Sequence, residues 1–372
     1  MSIERIDQHA SVPPRPADLA LLTVLTSLLL GLTGCAGHEP GLDAGPSGKD
    51  SGAPGDATVD AGGTDADPVD AGPVDAGPVD AGPVDAGRVD AGLGPIEGTC
   101  DRLPPVADYG APGPFDVEMQ RNTGPNGNYT LYRPGHTLGV NGFKHPLATW
   151  GNGILTTPDE YQVLLGLIAS HGFVIIACND VQAEQAGLSA GLDWLVAQNQ
   201  AGPMAGKLDV TREVTIGYSW GGGAAIDTAN RPNVKATVSL HGMPPRQATA
   251  FADMHSPLLL FTSTGDSFVT KDKYVTPNYD GSLVQTFYAT LEDTSAGHLY
   301  VVDVDAFACL VSPLLGGCGS AKRELAPTVA WLRMLACDDR AARPFFYGPH
   351  CTLCGPPWSS EKKLWPQPDS AL

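Results

Sequence analysis

The pattern of apolar and polar positions divides the chain into three stretches. Residues 19–32 form one apolar run, residues 36–99 contain no run that a core could use, and from residue 100 onward short apolar runs alternate with amphipathic stretches. In that last part the runs at 129–133, 147–150, 173–178, 214–216, 236–240, 258–263 and 284–288 are short and rich in Val, Ile, Leu and Phe, so they read as strands. The stretches 159–170, 187–198, the one that follows 216 and continues to 230, and 324–336 carry apolar residues at helical spacing. Strands that are apolar on both faces and separated by helices predict an α/β fold, a mostly parallel central sheet with helices on both faces. In such a sheet reactive groups gather at the carboxyl ends of the strands.

One of those ends carries Gly217-Tyr218-Ser219-Trp220-Gly221, followed by small residues and a helix. Strand, tight turn and helix around G-x-S-x-G is the pattern of a nucleophile elbow. Glycine at both flanks lets strand and helix approach, and the serine between them is strained with its hydroxyl held clear. Ser219 is therefore the candidate nucleophile. The helix behind it aims unpaired amides and a positive dipole end at the place where an oxyanion would form. Four histidines follow the serine, and His298, in the small-residue loop Ser295-Ala296-Gly297-His298, best fits the chain order Ser, Asp, His. His241 ends a strand one residue before a glycine and takes a supporting or pocket-lining place, while His255 and His350 read as surface or structural residues. The acid should end the preceding strand, where 258–263 runs into Thr264-Gly265-Asp266-Ser267. Asp266 is placed there to accept an imidazole N–H, and Asp253, Asp280 and Asp293 compete from less suitable loops. One oxyanion donor is the amide of Trp220; the second belongs to the loop Gly151-Asn152-Gly153-Ile154.

These residues carry a family resemblance. Gly206-Lys207-Leu208-Asp209 leading into the elbow, Ala169-Ser170-His171-Gly172-Phe173-Val174 upstream and Gly265-Asp266-Ser267 downstream resemble the α/β-hydrolase branch of bacterial cutinases and poly(ethylene terephthalate) hydrolases, with dienelactone-hydrolase-like relatives. The likeness runs over about residues 115–350 and implies the α/β-hydrolase fold. It implies a serine esterase with Ser219 as nucleophile, Asp266 as acid, His298 as base, and the amides of Ile154 and Trp220 as oxyanion donors, with no cofactor and no metal. Asn152, His241 and Met243 are expected to line the substrate pocket. The polyester hydrolases of that family place an aromatic residue where Ile154 stands and a Trp about where Met243 falls. Without those two rings Trp220 is the obvious aromatic near the site, and simple esters are the expected substrates. The alternative is a hydrolase-like binding lipoprotein that has lost catalysis.

Composition changes the picture mainly before residue 100. The run 19–32 is too short to span a bilayer comfortably and follows Arg5 and Arg15, so residues 1–35 read as a signal peptide. Its last four residues, Leu32-Thr33-Gly34-Cys35, resemble the lipobox of bacterial lipoproteins, with Cys35 lipidated as the new N-terminus; the other reading is an ordinary secretory signal. Residues 36–99 repeat Pro-Val-Asp-Ala-Gly and read as a disordered, self-repelling tether. Of the net charge of −19, −11 falls in that tether, so acidity speaks to spacing rather than to substrate. Residues 100–372 are then one catalytic domain. The expected product is an exported lipoprotein, a monomer held at the cell surface or the periplasmic face through Cys35, with an ester substrate. No basic run points to nucleic acid. Cys178 reads as a buried thiol. Cys100, Cys309, Cys318, Cys337, Cys351 and Cys354 suggest up to three disulfides, with Cys309 and Cys318 the favoured neighbours and the remaining connectivity open.

Overall fold

The computed structural model describes residue 100 and residues 103–303 and 322–366. The leader 1–35 with Cys35, the tether 36–99, and the pair Cys309 and Cys318 lie outside the described residues.

Nine strands among the described residues form one sheet: β1 (Val117–Thr123), β2 (Tyr129–Pro134), β3 (His145–Gly151), β4 (Val174–Cys178), β5 (Leu208–Tyr218), β6 (Val234–Leu240), β7 (Leu258–Ser263), β8 (Thr286–Leu291) and β9 (Trp358–Lys363). Their order across the sheet is β1-β2-β4-β3-β5-β6-β7-β8-β9. The inner strands from β4 across to β8 pair in parallel, while β1, β2 and β9 join at the two sides antiparallel. The four longer helices are α1 (Gln162–Ser170), α2 (Gln185–Gln200), α3 (Trp220–Thr228) and α4 (Leu325–Ala336). This is the α/β-hydrolase fold.

The period of two along each strand builds a core on either side. Val214, Ile216, Val238, Leu259, Phe261 and Phe287 face a core shared with α1 and α4. The alternating residues face the other way, Val174 and Ile176 against α2 and Leu258 and Leu260 against the end of α3. Strands apolar on both faces thus have helices on both faces to cover them. Trp331 of α4 is fully buried in the first core, a burial that contributes roughly 1.5–3 kcal/mol for a large side chain.

The differences from the sequence reading have local causes. Strands β1 and β9 were not expected, because they are edge strands: Val-Glu-Met-Gln-Arg-Asn-Thr and Trp-Ser-Ser-Glu-Lys-Lys leave most side chains exposed or half-buried and show no apolar alternation. Strand β8 begins at Thr286 rather than 284, since the Ser282 and Thr286 hydroxyls bond each other at 2.6 Å and hold the preceding residues in a turn. The helix expected from 159 opens as a single tight turn, Pro158–Tyr161, before α1. No helix among the described residues is long and apolar enough to cross a membrane. Disulfides join Cys100 to Cys337 and Cys351 to Cys354, and Cys178 is free and buried.

Candidate active site

Strand β5 delivers Ser219 into a backbone conformation of φ 53° and ψ −116°. Positive φ is rare for a residue with a side chain, and here it throws the hydroxyl off the line of both strand and helix. The turn is held by Ser219 N–H donating to Leu240 O (3.0 Å), and by Ser219 O accepting from Gly222 N–H (3.0 Å) and Met243 N–H (2.9 Å). Its tightness explains two of the glycines. A Cβ on Gly217 would fall 2.0 Å from Gly221 O, and one on Gly221 2.0 Å from Gly151 O. Both collisions are with backbone, so no side chain can move aside. Gly221→Ala is therefore expected to cost about 3 kcal/mol or more in urea unfolding, with esterase activity falling further than stability alone would explain.

The structure brings the three sequence-assigned side chains together. Ser219 Oγ lies 2.9 Å from His298 Nε2, and His298 Nδ1 lies 2.8 Å from Asp266 Oδ2. His298 opens a single helical turn, His298–Val301, beyond β8, and Asp266 leaves the end of β7. All three are buried. The other oxygen of Asp266 accepts the backbone N–H groups of Phe268 (3.0 Å) and Val269 (2.8 Å). Burial alone would raise the Asp266 carboxyl, but the charge on His298 and hydrogen bonds from His241 and His298 override it and hold the group well below the usual carboxylate range. Asp266 is thus an anion at neutral pH.

Aromatic rings set the angle of the imidazole. The rings of Tyr218 and Phe268 each lie 5.1 Å from that of His298, tilted by 31° and 38°. The buried Tyr218 hydroxyl donates to His298 O, and desolvation by burial raises the Tyr218 phenol well above its ordinary range, so it stays a donor.

The two amides expected to receive an oxyanion come from the start of α3 and from the loop after β3. Trp220 is the first residue of α3, so its amide has no partner within the helix. Ile154 N–H donates to no backbone carbonyl among the described residues. The loop that carries it is pinned to the elbow helix by Gly221 N–H donating to Asn152 O at 3.0 Å. The Trp220 ring is fixed as well: its Nε1–H donates to Glu184 (3.0 Å), and the Arg246 guanidinium lies 4.3 Å over the ring while bonding the same carboxylate.

Two of the three expected pocket residues are elsewhere. Asn152 has no exposure: its oxygen accepts Trp150 Nε1–H at 2.8 Å, and its amide donates to Cys178 O and Asp180 O. It braces its own loop by tying the end of β3 to the end of β4 and the segment just after it. His241 is likewise fully enclosed, with Nδ1 2.8 Å from Asp266 Oδ2, so it stands behind the acid rather than beside a substrate. Met243 is half-buried next to the elbow. The sequence reading missed Phe268, an aromatic side chain at the site besides Trp220; its only signal was its place two residues after Asp266. His241, Asp266 and His298 are also the group of His, Cys, Asp or Glu side chains compact enough to share a cation among the described residues, but both Nδ1 atoms are spent on Asp266.

A profile of PET hydrolase-like proteins matches residues 105–309, more than half of the 372-residue chain. The chain belongs to this family. Membership in the PET hydrolase-like family points to ester hydrolysis on the α/β-hydrolase scaffold described above. The matched range holds the elbow, Asp266 and His298, and it stops before α4 and the Cys351–Cys354 bridge. No individual curated protein matches the chain.

Proposed function

We propose that this PET hydrolase-like chain is a serine esterase that cleaves carboxylic esters through an acyl-enzyme. The observation that carries the reading is the unbroken line from Ser219 Oγ through His298 to Asp266, with steps of 2.9 and 2.8 Å. As Ser219 Oγ attacks the ester carbonyl carbon, its proton passes to His298 Nε2, and Asp266 offsets the charge that forms on the imidazole. The negative oxygen of the tetrahedral intermediate is received by the amides of Trp220 and Ile154. When the C–O bond breaks, the Nε2 proton goes to the departing alkoxide. A water, deprotonated by the same nitrogen, then attacks the acyl carbon, releases the acid and restores Ser219.

Ile154, Met243, Trp220 and Phe268 are half-buried apolar side chains near these groups. They suit an acyl group with some apolar surface, and Phe268 supplies a ring that widens the expected substrates to aromatic esters. The lipobox-like Cys35 and the repeat after it support an enzyme tethered to a membrane surface, as expected from its leader. A fluorophosphonate probe is expected to label Ser219 in the intact chain, as read by peptide mass. Replacing His298 by alanine should slow labelling by about 100-fold or more, the usual contribution of a positioned general base. A folded wild-type chain that takes up no probe would instead fit a binding protein with a silent elbow.

A further inference from the structure

The carboxylate of Asp266 has two imidazoles on one oxygen. His298 Nδ1 and His241 Nδ1 each lie 2.8 Å from Oδ2, and their rings meet edge to face with centroids 6.2 Å apart. A nucleophile, base and acid need only the first of these. His241 stands just beyond β6 at a φ of 46°, a conformation that costs a residue with a side chain on the order of 1–3 kcal/mol. Its backbone N–H donates to Phe261 O at 2.9 Å, which holds the turn in place. A Cβ on the next residue, Gly242, would lie 1.8 Å from Ser239 Oγ, so any side chain there would force that hydroxyl to turn away.

The far side of the ring decides its charge. Nε2 of His241 faces Glu324 Oε1 at 3.6 Å, and neither atom has a hydrogen-bond partner among the described residues. Glu324 is itself 3 % exposed. A lone pair on Nε2 would set two buried acceptors against each other, whereas a proton there makes a cation between two carboxylates. Burial alone would lower the affinity of His241 for this proton, but the hydrogen bond to Asp266 and the charges of Asp266 and Glu324 prevail and raise its pKa to about 9. The titratable groups facing the ring are Asp266 from the loop after β7, His298 from beyond β8 and Glu324 at the start of α4. Lys322, Arg323 and Tyr300 surround Glu324 in turn.

We propose that His241 is a positioning residue: a charged second imidazole, clamped between Asp266 and Glu324, that fixes the acid which holds His298. The catalytic consequence rests on the esterase reading; the charge itself does not. Glu324 lies outside residues 105–309 matched by the family profile, so the clamp joins the matched region to a residue beyond it.

The test uses the full chain with its histidines labelled with ¹⁵N, and His241→Asn identifies the His241 signals among those of the nine histidines. In the wild type both ring nitrogens of His241 are expected to be protonated at pH 8 and to lose a proton near pH 9. Glu324→Gln should move that titration down by about one pH unit or more. A wild-type His241 that is neutral at pH 8, or one that titrates unchanged in Glu324→Gln, overturns the clamp. In His241→Asn, kcat for p-nitrophenyl butyrate is expected to fall about 10-fold or more with KM little changed, because Asp266 loses one of the two imidazoles that fix it. An unchanged kcat in the folded variant overturns the positioning role. Failure of the esterase reading would appear separately, as a wild type that takes up no fluorophosphonate, and the nitrogen titration would still decide the charge of His241.

Discussion

Replacing Ser219 by alanine is expected to lower kcat for a short p-nitrophenyl ester by about 10⁴- to 10⁶-fold, the loss seen when a serine nucleophile is removed from an intact triad. The large effect follows from the proposed chemistry, in which Oγ forms the covalent bond, and from the 2.9 Å hydrogen bond that joins it to His298. The base and the acid have nothing to act on once it is gone. What remains is the oxyanion side, the amides of Trp220 and Ile154, which can still favour direct attack by water. Stability should hardly change. The strained φ of 53° belongs to the backbone and is tolerated as well by alanine as by serine, and the bonds from Ser219 N–H and to Ser219 O that hold the turn survive the substitution. Thermal unfolding within about 0.5 kcal/mol of the wild type is the companion expectation. A variant that keeps more than about one per cent of the activity, after contaminating esterases are excluded by a mock purification, would remove Ser219 from the reaction.

The parts of this site that were legible in the sequence are those where local chain chemistry and function coincide. An elbow needs glycines where the backbone itself collides, so Gly217 and Gly221 announced Ser219 before any fold was known. Asp266 and His298 could be placed because a parallel sheet puts the ends of β7 and β8 on the same rim as the end of β5. The interior strands were legible for a related reason: a strand buried on both faces has no polar alternation to confuse it. The edge strands β1 and β9 were hidden, because only one side of each meets the sheet and their side chains stay largely in solvent. The role of His241 was hidden for a different reason. Its sequence signal, a strand-end histidine before glycine, fits a pocket wall as well as a buried brace, and only its distances to Asp266 and to Glu324, eighty-odd positions further along, separate the two. Asn152 misled in the same way, since an Asn between two glycines looks free to meet a ligand. Its side chain instead closes hydrogen bonds to three other residues. Long-range polar contacts of this kind leave no periodic trace in a sequence.

Removing the bridge between Cys100 and Cys337 is expected to destabilise the folded domain far more than removing the one between Cys351 and Cys354. The two bridges close loops of very different size, with sequence separations of 237 and 3. In the chain-entropy treatment a loop of the first size restricts the unfolded chain by about 5 kcal/mol and one of the second by about 2 kcal/mol. Contacts that need no bridge oppose part of the larger loss. The buried Arg333 of α4 donates to Pro104 O at 2.8 Å and to Asp339 at 2.7 Å, and the Tyr109 hydroxyl donates to the same Asp339 at 3.0 Å, so the segment after Cys100 is also tied to the end of α4 by hydrogen bonds. These ties act in the folded state, whereas the covalent loop acts mainly on the unfolded one, so they reduce fraying without replacing the bridge. The variant Cys100→Ala with Cys337→Ala should therefore melt roughly 10 °C below the wild type, and Cys351→Ala with Cys354→Ala by roughly half that or less. Equal shifts, or a larger one for the short loop, would mean that local packing around the tail rather than loop closure sets the stability. Each variant that remains folded at the assay temperature should keep the wild-type kcat, which separates a loss of fold from a loss of chemistry.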